Sequence, residues 1–299
     1  MNSTLIKFKG TGVAIATPFK TDLSVDFDSV KKMVDFLIKN GINYIVVHGT
    51  TGESSTLSEK EKIISRNAFI EANNNRVPLV IGIGSNDTQS LSEYIIKSDL
   101  KGFSAILSVT PFYNRPTQNG LYEHFSAISK SSSLPIILYN VPTRTGCNME
   151  PSTSIKLAKN HRNIIGIKEA SGDMNQIMKL ISNKPDDFLI ISGDDDTAYQ
   201  SVLKGADGVI SVAAGCIPKH FSNIINFALE NDEDNSKKQY DNIHELLVLL
   251  FKEGNPTGLK AALSIKKLCQ NQLRLPLVSA SNELYSEIKN FLLHKLIDT

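Results

Sequence analysis

Ile164-Ile165-Gly166-Ile167-Lys168-Glu169-Ala170-Ser171-Gly172 places one amine near the end of a short β-branched run. Gly172 closes the segment, which reads as a buried strand of about eight residues. A lysine in that position has two readings. Its stem can lie along the core while the ammonium reaches water. Alternatively the amine is held in a pocket, where lost hydration disfavours the charged form and frees a neutral nitrogen to attack a carbonyl carbon. The stretch alone favours the first reading, because lysine is rarely buried. The rest of the chain favours the second, a Schiff base between Lys168 and a keto acid.

The run is one of eight. Strand-like segments stand at 10–19, 44–49, 78–84, 104–110, 135–141, 164–168, 188–192 and 208–212, most of them continuously apolar. Helical patterns lie between them: Val30, Met33, Val34 and Leu37 share a face behind Asp26 or Asp28 as cap. Ser58 with Glu61 forms a capping box for the next helix. Further helices are expected near 87–100, 120–131, 151–159, 174–182 and 196–204. Continuous apolar strands alternating with helices indicate a parallel sheet covered on both faces. Eight such units predict an α/β fold, a (β/α)₈ TIM barrel, over residues 1–230. An open doubly wound sheet is the competitor, but no G-x-G-x-x-G opens a helix after the first strand. Helices are expected at 220–230, 236–252, 257–270 and 282–296; the first can close the barrel, and the other three exceed what it needs. Residues 231–299 therefore read as a C-terminal helical appendage, joined through the acidic connector 230–235.

Bulk properties narrow the function. Net charge is +1, which supplies no electrostatic case for nucleic acid or an anionic membrane. No apolar run approaches a membrane span, and MNSTLIKFKG has no apolar core of a secretory signal. Cys147, Cys216 and Cys269 are far apart and form no CxxC pair. A cytoplasmic location is the expectation.

A TIM barrel carries its site at the C-terminal ends of the strands. Those ends hold Thr50 and Thr51, Tyr113, Tyr139, Arg144, Lys168 and the run Asp194-Asp195-Asp196. Each type suits keto-acid chemistry. Tyrosine can move a proton, a threonine hydroxyl can link two tyrosines, and arginine grips a carboxylate with two N–H groups. Singly, each also has an ordinary structural role. The aspartates read as a turn and helix cap rather than a metal site. His48, inside an apolar strand, reads as a core histidine, and no HExxH occurs.

Together, GTTGE at 49–53, TPFYNRP at 110–116, LYNVPTRTG at 138–146, GIKEASG at 166–172 and SGDDD at 192–196 closely resemble the signatures of the dihydrodipicolinate synthase family. That family lies within the pyruvate-dependent class I aldolases, which include N-acetylneuraminate lyase. The resemblance runs from about residue 10 to 295, in register with the strand ends. It implies condensation of pyruvate with L-aspartate 4-semialdehyde to 4-hydroxy-tetrahydrodipicolinate, the first committed step of diaminopimelate and lysine biosynthesis. It implies that Lys168 forms the Schiff base, that Tyr139, Thr50 and Tyr113 relay protons, and that Tyr113 acts in a neighbouring subunit's site. By the same resemblance Thr51 contacts the pyruvate carboxylate, Arg144 the carboxylate of the aldehyde substrate, and Gly193 and Ile210 the pocket wall. No cofactor or metal is implied, and the assembly is a homotetramer of two tight dimers.

Arg144 weighs against the sugar-acid lyases, whose corresponding loop generally lacks it. A non-catalytic barrel that binds a metabolite is the remaining alternative, opposed by five intact strand-end motifs. One region departs from lysine-inhibited members of the family. Phe112 replaces a frequent tyrosine, Glu59 and Lys62 replace histidines, and Ser90 replaces a glutamate, while Ser54 and Asn86 match. Weak or absent lysine feedback is the expectation.

Overall fold

The structure is a computed structural model and describes residues 3–296; the last three positions of the expected appendage, 297–299, lie outside the described residues. Eight strands close into one barrel: β1 (Gly10–Ala14), β2 (Tyr44–Val47), β3 (Leu79–Gly82), β4 (Ala105–Val109), β5 (Ile136–Asn140), β6 (Ile164–Glu169), β7 (Leu189–Ser192) and β8 (Gly208–Ser211). Each pairs in parallel with its sequence neighbours, and β8 pairs with β1. The expected TIM barrel is therefore present, as the near-continuous apolar strands require. Eight helices cover it: α1 (Phe27–Lys39), α2 (Glu59–Asn73), α3 (Thr88–Lys97), α4 (Gln118–Ser131), α5 (Pro151–Asn160), α6 (Met174–Asn183), α7 (Ala198–Leu203) and α8 (Pro218–Leu229). Three more follow, α9 (Glu233–Phe251), α10 (Thr257–Ile265) and α11 (Asn282–Asn290).

Side chains alternate between two apolar layers. Val13, Ile45, Ile81, Ile106, Leu138, Ile167, Ile190 and Val209 meet the helices. Ala14, Val46, Val80, Leu107, Ile137, Tyr139, Ile191 and Ile210 fill the barrel. Ile243, Leu246, Leu259 and Leu284 join the outer layer, so the C-terminal helices share one core with the barrel helices.

Local chemistry accounts for the element ends. Asp26 caps α1 by accepting from Ser29 N, and Ser58 with Glu61 makes the expected capping box on α2. Several segments are shorter than expected. β1 stops at Ala14, four residues before Pro18, which has no N–H to give a ladder. α10 stops at Ile265 because Lys267 turns left-handed (φ 58°) and Leu268 N bonds back to Leu263 O. α7 begins at Ala198 because the aspartates before it are engaged elsewhere.

One irregularity decides where the Lys168 amine points. Ile136 pairs with Ile164, but Ile137 pairs with Gly166, so Ile165 is an extra residue in β6. Ile165 packs in the barrel interior and Ile167 packs outward against the helices. Strict alternation from Ile165 would send Lys168 outward; the bulge resets the parity and turns it into the barrel.

Candidate active site

Lys168 pairs in register with Tyr139 on β5 and Ile191 on β7, both barrel-interior residues. It is 5% exposed, and its Nζ lies 4.4 Å from the centroid of the Tyr139 ring. Among the described residues no carboxylate pairs with it. A cavity of about 190 Å³ opens above the amine, lined by Thr50, Thr51, Tyr139, Arg144, Lys168 and Gly193 among others. Such a volume suits a small keto acid. Gly193 is required there: a Cβ would stand 2.8 Å from Lys168 Cε and 2.6 Å from Ala170 Cβ, closer than carbons approach.

The next residue points the other way. Glu169 is buried in the layer behind the strands, where Asn140 Nδ2 donates to both its oxygens (3.2 and 3.0 Å), Gln176 Nε2 donates at 2.9 Å and Ser171 N at 2.8 Å. Burial raises its pKa, and these donors pull it back. Glu169 thus braces the ends of β5, β6 and α6 directly under the lysine.

The turn after β2 carries the threonines. Residues Thr50–Gly52 and Ser54–Thr56 form two successive 3₁₀ turns, joined at Glu53 in the left-handed region (φ 49°). Thr17 Oγ1 donates to Gly52 O at 2.7 Å, and Asn255 Nδ2 donates to Thr51 Oγ1 at 3.0 Å. Glu53 and Lys260 of α10 form an ion pair with both side chains fully buried, completed by Gln272 O on Lys260 Nζ (2.8 Å) and Arg274 N on Glu53 Oε2 (3.1 Å). The glutamate of GTTGE is therefore a fastening and does not line the cavity. Its partner lies 207 positions away, so no local signal marks it.

Arg144 sits at the rim, exposed, in the helical turn Pro142–Thr145. Ile210 does not line the cavity; it pairs with Gly12, one layer below the cavity residues Ala14 and Val212. Tyr113 does not line the cavity either. It is 89% exposed with φ 72°, on a loop braced by Asn86 Nδ2 to Phe112 O (3.1 Å) and Asn114 Nδ2 to Asn86 O (3.0 Å).

The three aspartates after β7 take three different roles. Asp194 Oδ2 accepts from Thr197 N and Oγ1. Asp195 is buried and accepts from Val212 N and Ala213 N, tying β7 to the end of β8; burial pushes its carboxyl up to about 6. Asp196 takes the Tyr240 hydroxyl and lies 3.3 Å from His244 Nε2, fixing α9 to the rim. Only Asp194 matches the expected turn-and-cap reading; Asp195 was not legible, because its burial depends on β8. His48 is a core histidine as expected, 2.8 Å from Ser65 Oγ and pushed down to about 3, first by burial. Beside it, Ser54, Glu59, Lys62, Arg66 and Ser90 line a second cavity of about 280 Å³, and Lys62 is paired with Glu59 at 2.7 Å.

The chain resembles known proteins along nearly its whole length. The sequence profile of the dihydrodipicolinate synthetase family matches residues 7–295. A 4-hydroxy-tetrahydrodipicolinate synthase of Flavobacterium psychrophilum is 46% identical over 284 residues, 95% of this chain and 97% of the relative. A chloride-inhibited dihydrodipicolinate synthase of Acinetobacter baumannii, solved with pyruvate, superposes with a TM-score of 0.92 at 41% identity, covering 95% of this chain and 97% of that one. A monomeric dihydrodipicolinate synthase variant superposes at 0.94 with 36% identity, covering 98% and 99%. With the eight-stranded barrel, the strand-end lysine and this likeness from end to end, the chain belongs to the dihydrodipicolinate synthetase family.

Proposed function

We infer that the chain is a lyase that condenses pyruvate with L-aspartate 4-semialdehyde to 4-hydroxy-tetrahydrodipicolinate, for the lysine and diaminopimelate pathway. The observation that carries the reading is Lys168: buried, without a carboxylate partner among the described residues, and opening into a small polar cavity with Tyr139, Thr51 and Arg144.

The Lys168 amine adds through its nitrogen lone pair to the keto carbon of pyruvate, and water leaves as the imine forms. Loss of a methyl proton gives the enamine. Its carbon forms the new C–C bond to the aldehyde carbon, whose oxygen takes a proton. The amino group of the former semialdehyde then attacks the imine carbon and expels the Lys168 amine, closing the ring. In this reading Tyr139 gives and takes protons over the bound pyruvate and Thr50 passes them on. Thr51 bonds the pyruvate carboxylate, Arg144 that of the second substrate, and Gly193 keeps space beside the lysine. Ile210 acts from below, as support.

Tyr113 completes the relay only from another subunit, and the reading places it in the site of a dimer partner, two such dimers forming a tetramer. An exposed aromatic on a braced loop supports that role. Residues 231–299 act in this reading as a distinct helical region that closes the site mouth, since Phe251 and Asn255 line the cavity. No helix among the described residues is long and apolar enough to cross a membrane; we place the enzyme in the cytoplasm. No cofactor or metal enters any step.

The test is an initial-rate assay with both substrates, coupled to the reductive step that follows. Steady turnover, abolished in Lys168→Ala, supports the reading. A folded protein that turns over neither this pair nor any sugar acid, and gives no borohydride-trappable pyruvate adduct, overturns it in favour of a binding barrel.

A further inference from the structure

We propose that Asn255, from the C-terminal helical region, is a positioning residue that aims the Thr51 hydroxyl at the carboxylate of bound pyruvate. The proposal rests on the Schiff-base reading above and adds to it a residue outside the strand-end motifs.

Asn255 precedes α10, 204 positions from Thr51, yet its Nδ2 donates to Thr51 Oγ1 at 3.0 Å and both residues are buried and line the active cavity. A threonine hydroxyl has one proton to give and lone pairs to receive. When the amide N–H occupies a lone pair, the hydroxyl proton is left to point elsewhere, and the open side of Thr51 is the cavity. A carboxylate arriving there meets a preset donor instead of a free rotor, so no orientational cost falls on binding. Asn255 has no other visible employment. Its Oδ1 is buried and has no hydrogen-bond partner among the described residues, which is costly for an amide kept only for stability. The backbone around the pair is held rigidly: two residues past Thr51, Glu53 meets Lys260 of α10 in the buried ion pair. The same helix start therefore fixes both the turn and its hydroxyl.

The test is a double-mutant cycle on the full-length enzyme, read as kinetic constants for each substrate. Asn255→Ala is expected to raise KM for pyruvate about tenfold and to leave KM for the semialdehyde within about twofold. Asn255→Asp keeps the shape but can only accept, so it turns the Thr51 proton away from the cavity; it is expected to be worse than alanine. In a Thr51→Val background, Asn255→Ala is expected to add nothing. Effects that multiply across the cycle, or that fall on the semialdehyde, overturn the proposal. Should the alanine variant fail to fold, the isosteric aspartate carries the same test. Borohydride trapping of pyruvate on the wild-type enzyme separates the two readings: no adduct defeats the Schiff base itself, whereas an adduct with an unmoved pyruvate KM in both Asn255 variants defeats only this inference.

Discussion

Two lysines are buried at the C-terminal mouth of this barrel, and their surroundings are opposite. Lys168 is 5% exposed, lies against the face of Tyr139, has no carboxylate partner among the described residues and opens into a polar cavity. Lys260 is 0% exposed, pairs with Glu53, donates to Gln272 O and lies 4.1 Å from the Phe19 ring centroid. Burial lowers the Lys260 pKa, and the Glu53 carboxylate beside it offsets part of that shift. Burial by itself therefore does not mark a nucleophile. What distinguishes the two is whether the amine's partner is supplied by the protein or left for a substrate.

The comparison can be broken in several ways. The largest effect belongs to Lys168→Ala, expected to lose at least about a thousandfold in turnover while thermal unfolding stays at or above the wild-type midpoint, because the amine neutralises no carboxylate among the described residues. Calorimetry alongside the coupled assay checks both halves; a large stability loss would give Lys168 a structural share.

Lys260→Met is expected to do the reverse. Leaving Glu53 buried and unpaired costs about 3–5 kcal/mol, measured by denaturant unfolding, while pyruvate still traps on Lys168 under borohydride in the folded protein. The double variant Glu53→Gln/Lys260→Met is expected to recover much of that loss. Trapping that disappears from folded Lys260→Met would make both lysines chemical.

A smaller effect sharpens the geometry at Lys168. Gly193→Ala inserts a methyl against Lys168 Cε and Ala170 Cβ. Displacing the amine from its line of attack is expected to reduce pyruvate adduct formation about tenfold to a hundredfold. Unchanged trapping kinetics would show that the lysine has room to spare.

The smallest effect is expected in the second cavity. Lys62, held by Glu59, adds a positive charge near any cationic effector, so sub-millimolar lysine is expected to leave initial rates unchanged. Inhibition in that range would mean that the remaining polar lining outweighs the charge.

Much of the site was legible because a barrel sends its strand ends to one face. Thr50, Thr51, Tyr139, Arg144, Lys168 and Gly193 gather round one cavity, and each stood at the end of a strand recognisable by apolar runs alone. The partners that hold them were not legible. Glu53 reads like one more polar turn residue until Lys260 arrives, and Asn255 carries no local signal. Asp195 reads as part of a surface turn until β8 buries it.

The sequence by itself determined the eight-fold alternation, the barrel class and the strand-end chemistry, because period and composition are local properties of a chain. Only the tertiary structure decided which way Lys168 faces. A single unpaired residue, Ile165, exchanges inside for outside along β6, and pairing register between strands is settled by neighbours, not by the strand's own residues. It also decided which buried lysine meets a counter-charge among the described residues and which does not, since that depends on contacts between positions more than two hundred residues apart.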